Sequence, residues 1–170
     1  MSWIAPTVLV LQILLLLRVA AIDIATRLIH NEICLVLALL GVAGLVTNPA
    51  HAAQSVIAAT VLFLLLLVVY ARGWMGGGDV KLIAALAIGL PFAGLVQLVT
   101  VTALSGAGLA LLHLMLRLLP DPEPAPADAS LLRRVYSVER WRNRRRAPLP
   151  YGAAIALGGA WTLLSSGHLT

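Results

Sequence analysis

Charge and cysteine are what this chain has least of. Only 11% of its 170 residues are charged, where a soluble domain carries roughly 25%. Cys34 is the single cysteine, so an intrachain disulfide and a Cys-x-x-Cys zinc site are both excluded, and a buried thiol is the default. Four histidines, His30, His51, His113 and His168, are scattered and form no His-Glu-x-x-His. Metal-dependent proteolysis therefore has no ligand set to work with. Gly-x-Ser-x-Gly is missing too, and Ser105 has no histidine base evident in the sequence. No metal and no organic cofactor are expected. Met1 to Leu17 carries no cation, whereas a cleaved signal peptide opens with positive charge, so an uncleaved first span is expected.

What the chain does have is apolar length. Hydrophobic residues make up 61% of it, and they come in long blocks, not in the periodic stripes of a water-facing helix. A helix crosses a bilayer's hydrocarbon in roughly 20 residues. The expected fold is an all-α, polytopic membrane helix bundle of about six transmembrane helices, built as one domain over residues 1–170. Spans are expected at 3–22, 33–46, 53–71 and 151–164. The run from Leu82 to Leu119 contains no acid, and no base before Arg117. As a single helix it would be roughly 57 Å long, so it should fold back once, at Pro91 or near Ser105-Gly106.

Charge then orients the bundle. With the N-terminus outside, segments 23–32, 72–81 and 118–148 face the cytoplasm, and these with their flanks hold all twelve Arg and Lys residues. The outer segments, around 47–53 and 91–105, hold no charge. Such asymmetry follows the positive-inside rule and gives an N-out, C-out topology in a bacterial inner membrane. The net charge of +5 is then a membrane signature, and no nucleic-acid partner is expected. Residues 120–129 read as a Pro/Ala/acid linker. Leu131 to Arg146 carries seven arginines, with Leu131, Leu132, Val135, Tyr136 and Val138 at near-helical spacing. That stretch is expected to lie on the anionic inner leaflet as an amphipathic helix. Small residues four apart, Ala103/Ala107, Gly106/Ala110 and Ala154/Gly158, are expected to be helix-packing contacts.

Two acids abut the apolar spans on the same face. Asp23 closes span one, and Asp79 opens span four after Gly76-Gly77-Gly78. An i,i+4 pair with Arg27 would account for Asp23, and N-capping would account for Asp79. Neither explains why both acids stand at one membrane border, where an ionisable residue is by default functional. Two carboxylates brought close share a proton, so one can activate water while the other protonates a peptide carbonyl. Glycines before Asp79 would let a substrate backbone approach it. Asp23 and Asp79 are the candidate catalytic pair, and spans one and four should then be neighbours. The competing class is a transporter or assembly subunit that uses the two acids as a proton relay.

Asp23-Ile-Ala-Thr-Arg27-Leu-Ile29-His30-Asn31 resembles the first-aspartate motif of the type IV prepilin peptidases, with His30 where that family usually has proline. Gly76-Gly77-Gly78-Asp79-Val80-Lys81-Leu82 is similar to their Gly-x-Gly-Asp-x-Lys-Leu motif. Leu149-Pro150-Tyr151-Gly152 resembles the start of their last span. The resemblance implies an aspartic endopeptidase that removes the leader of a prepilin or pseudopilin at the cytoplasmic face. It gives supporting roles to Gly76, Gly78, Lys81, Arg27 and Asn31. The large bifunctional members carry a Cys-x-x-Cys insertion and methylate the new N-terminus. This chain lacks the insertion and looks like the short form of Flp/Tad pilus systems, so N-methylation is not implied. Archaeal preflagellin peptidases share the dyad and stay a neighbouring reading.

Overall fold

The computed structural model describes residues 4–47, 49, 52–118, 130–144 and 149–166. Among them are seven α-helices and no strand. They are α1 Ile4–Thr26, α2 Asn31–Thr47, α3 Ala52–Ala71, α4 Gly77–Ala87, α5 Phe92–Leu118, α6 Leu131–Arg144 and α7 Tyr151–Ser166. Trp3, where the first expected span begins, the 120–129 linker, His51 and His168 lie outside the described residues. Two compact units are distinguished, one of Met1–Gly106 with Pro150–Thr170, the other Ala107–Leu149.

Three of the described helices have the length and apolarity to cross a membrane, over Pro6–Thr26, Ala52–Ala71 and Phe92–Leu118. Two shorter apolar helices cover Asn31–Val46 and Tyr151–Ser165. Large apolar side chains such as Leu14, Leu17, Leu64, Leu65 and Val68 point outward. Water would not tolerate so broad an apolar surface, and lipid tails would. The chain is an all-helical membrane protein.

One element boundary differs from the sequence expectation. α1 does not stop before Asp23 but runs on to Thr26. Ile24 and Ala25 continue the apolar run, and the Thr26 hydroxyl donates to the Ile22 carbonyl at 2.9 Å. Arg27 ends the helix in the left-handed region, φ 61°, with its N–H on the Asp23 carbonyl at 2.9 Å. α4 stops before Pro91, as one of the two expected reversals requires, and has eleven residues. At 1.5 Å per residue it is about 16 Å long, half of a bilayer's hydrocarbon thickness.

The reversal after α4 falls at 88–91, and α5 runs unbroken through Ser105 and Gly106. Pro91 cannot continue the α4 hydrogen-bond ladder. Gly89 takes φ 91°, a conformation that side chains resist. The turn also presses on α2. A Cβ at Gly41 would strike the Ile88 carbonyl oxygen, so only glycine at 41 lets α2 approach here.

α4 is the centre of the first unit, packed against α2, α3 and α7. Its Val80, Leu82, Ile83, Ala85, Leu86 and Ala87 are buried. With Leu16 and Val19 of α1, Leu37 of α2, Leu98 of α5 and Ile155 of α7, Leu82, Ile83, Ala85 and Leu86 form one apolar core. Lipid tails are as apolar as leucine, so this core is held by close fit and not by escape from water. Part of the small-residue expectation is met. Gly106 faces the Tyr151 ring, Gly158 faces Thr102, and Ala154 is buried. Ala103, Ala107 and Ala110 are exposed.

In the second unit, α6 forms where its spacing places it. Leu131, Leu132, Val135, Tyr136 and Val138 are all exposed. The helix opens with the Arg134 N–H on the Ser130 carbonyl at 3.0 Å.

Candidate active site

Asp23 sits in the last turn of α1, on the side facing α7, and is 4% exposed. The α7 N-terminus supplies its partner, because the first amides of a helix have no carbonyl within the helix to bond. The Ala153 N–H donates to Asp23 Oδ2 at 3.3 Å. Gly152 makes that approach possible. A Cβ at 152 would stand 2.9 Å from both Cγ and Oδ2 of Asp23, inside contact distance. The positive end of the α7 dipole favours a negative group at this spot.

Asp79 is the third residue of α4 and is half-buried. Gly76 caps the helix, its carbonyl accepting the Val80 N–H at 3.2 Å. The Gly76 N–H is near enough to the Asp79 carboxylate to favour its charged form. A Cβ on Gly76 would lie 3.0 Å from Asp79 Oδ2. Asp79 comes before the apolar run that starts at Leu82, at the exposed end of α4. Burial pushes its carboxyl up to about 6, and the charge of Asp23 pushes the same way, while the Gly76 N–H pulls it down. The charge of Asp23 therefore reaches Asp79.

α1 and α4 meet through α7 and α2 more than directly, since α7 and α2 each pack on both. Leu16 of α1 and Leu86 of α4 both reach the bare Cα side of Gly159, at 3.2 and 2.9 Å from where a Cβ would stand. Spans one and four, expected to be neighbours, thus pack little on each other directly, and their side chains meet across a glycine of α7.

The supporting residues fall into two groups. Gly76 touches Asp79, and Gly78 packs under Ile29, whose Cβ would be 3.2 Å from a Cβ at 78. Lys81 is two residues from Asp79, so the two do not share a face of α4, and its ammonium donates to Asn31 Oδ1 at 3.0 Å. It ties the start of α4 to the start of α2, where the His30 carbonyl accepts the Ile33 N–H at 3.2 Å. Arg27 forms the left-handed corner between α1 and α2. Sequence reasoning saw the Pro150-Tyr151-Gly152 run but assigned none of it to the site. Gly152 and Ala153 hold Asp23, and Tyr151 lies within electrostatic reach of Asp79. The available signal was that run itself, a proline and a glycine framing a helix start beside a buried acid.

A family model described as the type IV leader peptidase family matches residues 10–111. The matched stretch includes Asp23, the glycine run and Asp79, and it ends before α6 and α7. Comparison with curated proteins returned no match, and comparison with solved structures returned none.

Proposed function

The chain belongs to the type IV leader peptidase family, and from that premise we propose an aspartic mechanism in which Asp23 and Asp79 form the catalytic pair. The observation that carries this reading is the placement of Asp23, at the end of α1 against the start of α7, and Asp79, in the first turn of α4, at one end of the bundle, with the charge of Asp23 pushing the Asp79 carboxyl up. Asp79, with a carboxyl pushed up to about 6, is the proton donor to the scissile carbonyl. Asp23, facing the α7 amides, holds the negative charge and takes a proton from the attacking water. A group that titrates near the working pH is suited to moving protons in both directions. Gly76 is exposed, and its missing side chain leaves room for an extended peptide to lie against Asp79.

The substrate proposed is a prepilin or pseudopilin of the Flp/Tad or type IV kind, cleaved between its basic leader and its apolar segment. The protein would reside in the bacterial inner membrane with N- and C-termini outside and the aspartates toward the cytoplasm. α6 would rest on the anionic inner leaflet, where its arginines meet lipid phosphates while Leu131 and Val135 enter the acyl region. The distribution of Arg and Lys supports this orientation.

The test is co-expression with a prepilin, following the loss of the leader by gel mobility. Wild type is expected to process the substrate, and Asp23→Asn and Asp79→Asn are each expected to leave it intact while still inserting in the membrane. Processing by either variant would remove the pair as catalytic groups.

A further inference from the structure

α2 and α3 each pack on α4 and hardly at all on each other. A groove of about 400 Å³ is left between them, backed by α4. Small residues line it, Ala38 of α2 with Ala84 and Ala85 of α4. Leu35 of α2 and Phe63 of α3 line it as well, and both are exposed. Small residues let the backbone of another helix come close, which is how helices associate in lipid, where escape from water gives no drive.

The groove has a direction. At one end the Lys81 ammonium donates to Asn31 Oδ1, and at the other Ile88 faces Gly41. α2 and α4 therefore run side by side in the same sense, inward from the end of the bundle where α1 brings Asp23 and α4 brings Asp79. From Lys81 to Ile88 the groove covers about 10.5 Å of helical rise, or roughly two turns.

Asp79 is on the other side of α4. At 3.6 residues per turn, Lys81, Ala84, Ala85 and Ile88 lie within about 60° of the point opposite it. A chain seated in the groove must therefore cross the start of α4 to reach the acid. That start is the glycine run, with Tyr70 of α3 against Gly77 and Ile29 against Gly78. A helix is about 10–12 Å across, so the crossing takes roughly three or four extended residues at about 3.3 Å each.

We propose that this groove docks the first two turns of the substrate's apolar segment as a helix, with the residues before it extended over the glycines to Asp79. The proposal rests on the peptidase reading above. A leader at this end, followed by an apolar segment running inward, has the sense of α2 and α4. A lipid acyl chain would also fit apolar walls, but it has no use for the close approach that three alanines allow, or for a path to Asp79.

The experiment uses the full-length chain carrying Asp79→Asn, so that the substrate stays uncut, and Cys34→Ala, which removes its one thiol. Leu35→Cys or Phe63→Cys is added, and the chain is co-expressed with a prepilin bearing single cysteines along its apolar segment. Oxidative cross-linking in membranes is expected from about the fourth to about the tenth residue after the cleavage point, recurring every three or four. Leu14→Cys, on the outward side of α1, is expected to give none. With Asp79 intact, Ala84→Leu fills the groove and is expected to raise KM for the prepilin about tenfold. A peptide that ends before the apolar helix should be cleaved by this variant as by wild type, which shows that the variant is folded. Cross-links no stronger at Leu35→Cys and Phe63→Cys than at Leu14→Cys would overturn the docking, and an acyl chain as occupant gives that result. An unchanged KM in Ala84→Leu would overturn it too. Failure of wild type to cut any prepilin would instead count against the catalytic pair, and the cross-links would still decide the groove.

Discussion

Ala153 donates its backbone N–H to Asp23 Oδ2 at 3.3 Å, joining residues 130 positions apart. The bond makes the start of α7 part of the acid's environment, and α7 also packs on α4, which carries Asp79. One helix therefore supports both acids. Its glycines do so by what they lack: Gly152 admits Asp23, and Gly159 admits Leu16 and Leu86.

Gly152→Ala is the direct test of that arrangement. The added methyl would stand 2.9 Å from the Asp23 carboxylate carbon, and helix backbone holds it there. Asp23 must turn away or α7 must retreat, and either change breaks the Ala153 bond. A misplacement near 1 Å costs on the order of a hundredfold in rate. Leader cleavage by the purified variant is expected to fall by about that factor, with KM much less affected. Activity within twofold of wild type would show that α7 does not set the Asp23 position.

The raised Asp79 carboxyl gives two pH dependences. If Asp79 donates a proton, kcat/KM for leader cleavage should fall as pH rises through about 6. The same limb in kcat should lie higher, because bound substrate buries the acid further. The stability effect follows from the same shift. A carboxyl moved from its ordinary 3.8 to about 6 favours the protonated fold, so its cost is nil below 3.8 and complete above about 6. Asp79→Asn removes that cost. After allowing for solvent screening of a half-exposed group, the gain is about 1–2 kcal/mol. Thermal unfolding in detergent should show the variant more stable than wild type at pH 7.5 and equal to it near pH 3.5.

Much of this site was legible in the sequence, and the reasons differ by residue. Asp23 and Asp79 stood out because acids are rare beside apolar runs, and the one-sided cations put both at one end. α4 was harder, because an apolar run of 38 residues looks the same whether it folds back after a full span or after half of one. The halfway stop depends on Gly89 at positive φ and on Gly41 facing Ile88, and such contacts leave no local periodicity. Arg27 as a left-handed corner was hidden as well, since arginine is not a residue that marks such corners. The Ala153 bond uses a backbone amide, which every residue except proline carries, so composition cannot point to it.

Lys81 and Asn31, 50 positions apart, test how far the start of α4 depends on α2. Their hydrogen bond is 3.0 Å long and exposed, so its worth should be modest, about 0.5–1 kcal/mol. Lys81→Met and Asn31→Ala should each lower thermal stability by about that much, and the double variant by hardly more than either alone. Because Lys81 is engaged with Asn31 and does not share a helix face with Asp79, the pH midpoint of cleavage should stay put in all three. Additive losses, or a shifted midpoint, would mean that Lys81 acts on the aspartates and not on α2.

Arg27 allows backbone strain to be separated from side-chain contacts. A non-glycine residue in the left-handed region costs roughly 1–2 kcal/mol relative to glycine, and Arg27 takes φ 61° at the end of α1. Arg27→Gly and Arg27→Ala both remove the guanidinium and its interactions, so their difference reports the backbone alone. The glycine variant should be the more stable by about 1 kcal/mol, a little of the relief being offset by the greater freedom of glycine in the unfolded chain. Thermal unfolding of the two proteins in one detergent measures this. An alanine variant as stable as the glycine variant would mean that the corner relaxes out of the left-handed region once arginine is gone. The turn at Arg27 would then be held by its side chain and not by the meeting of α1 and α2.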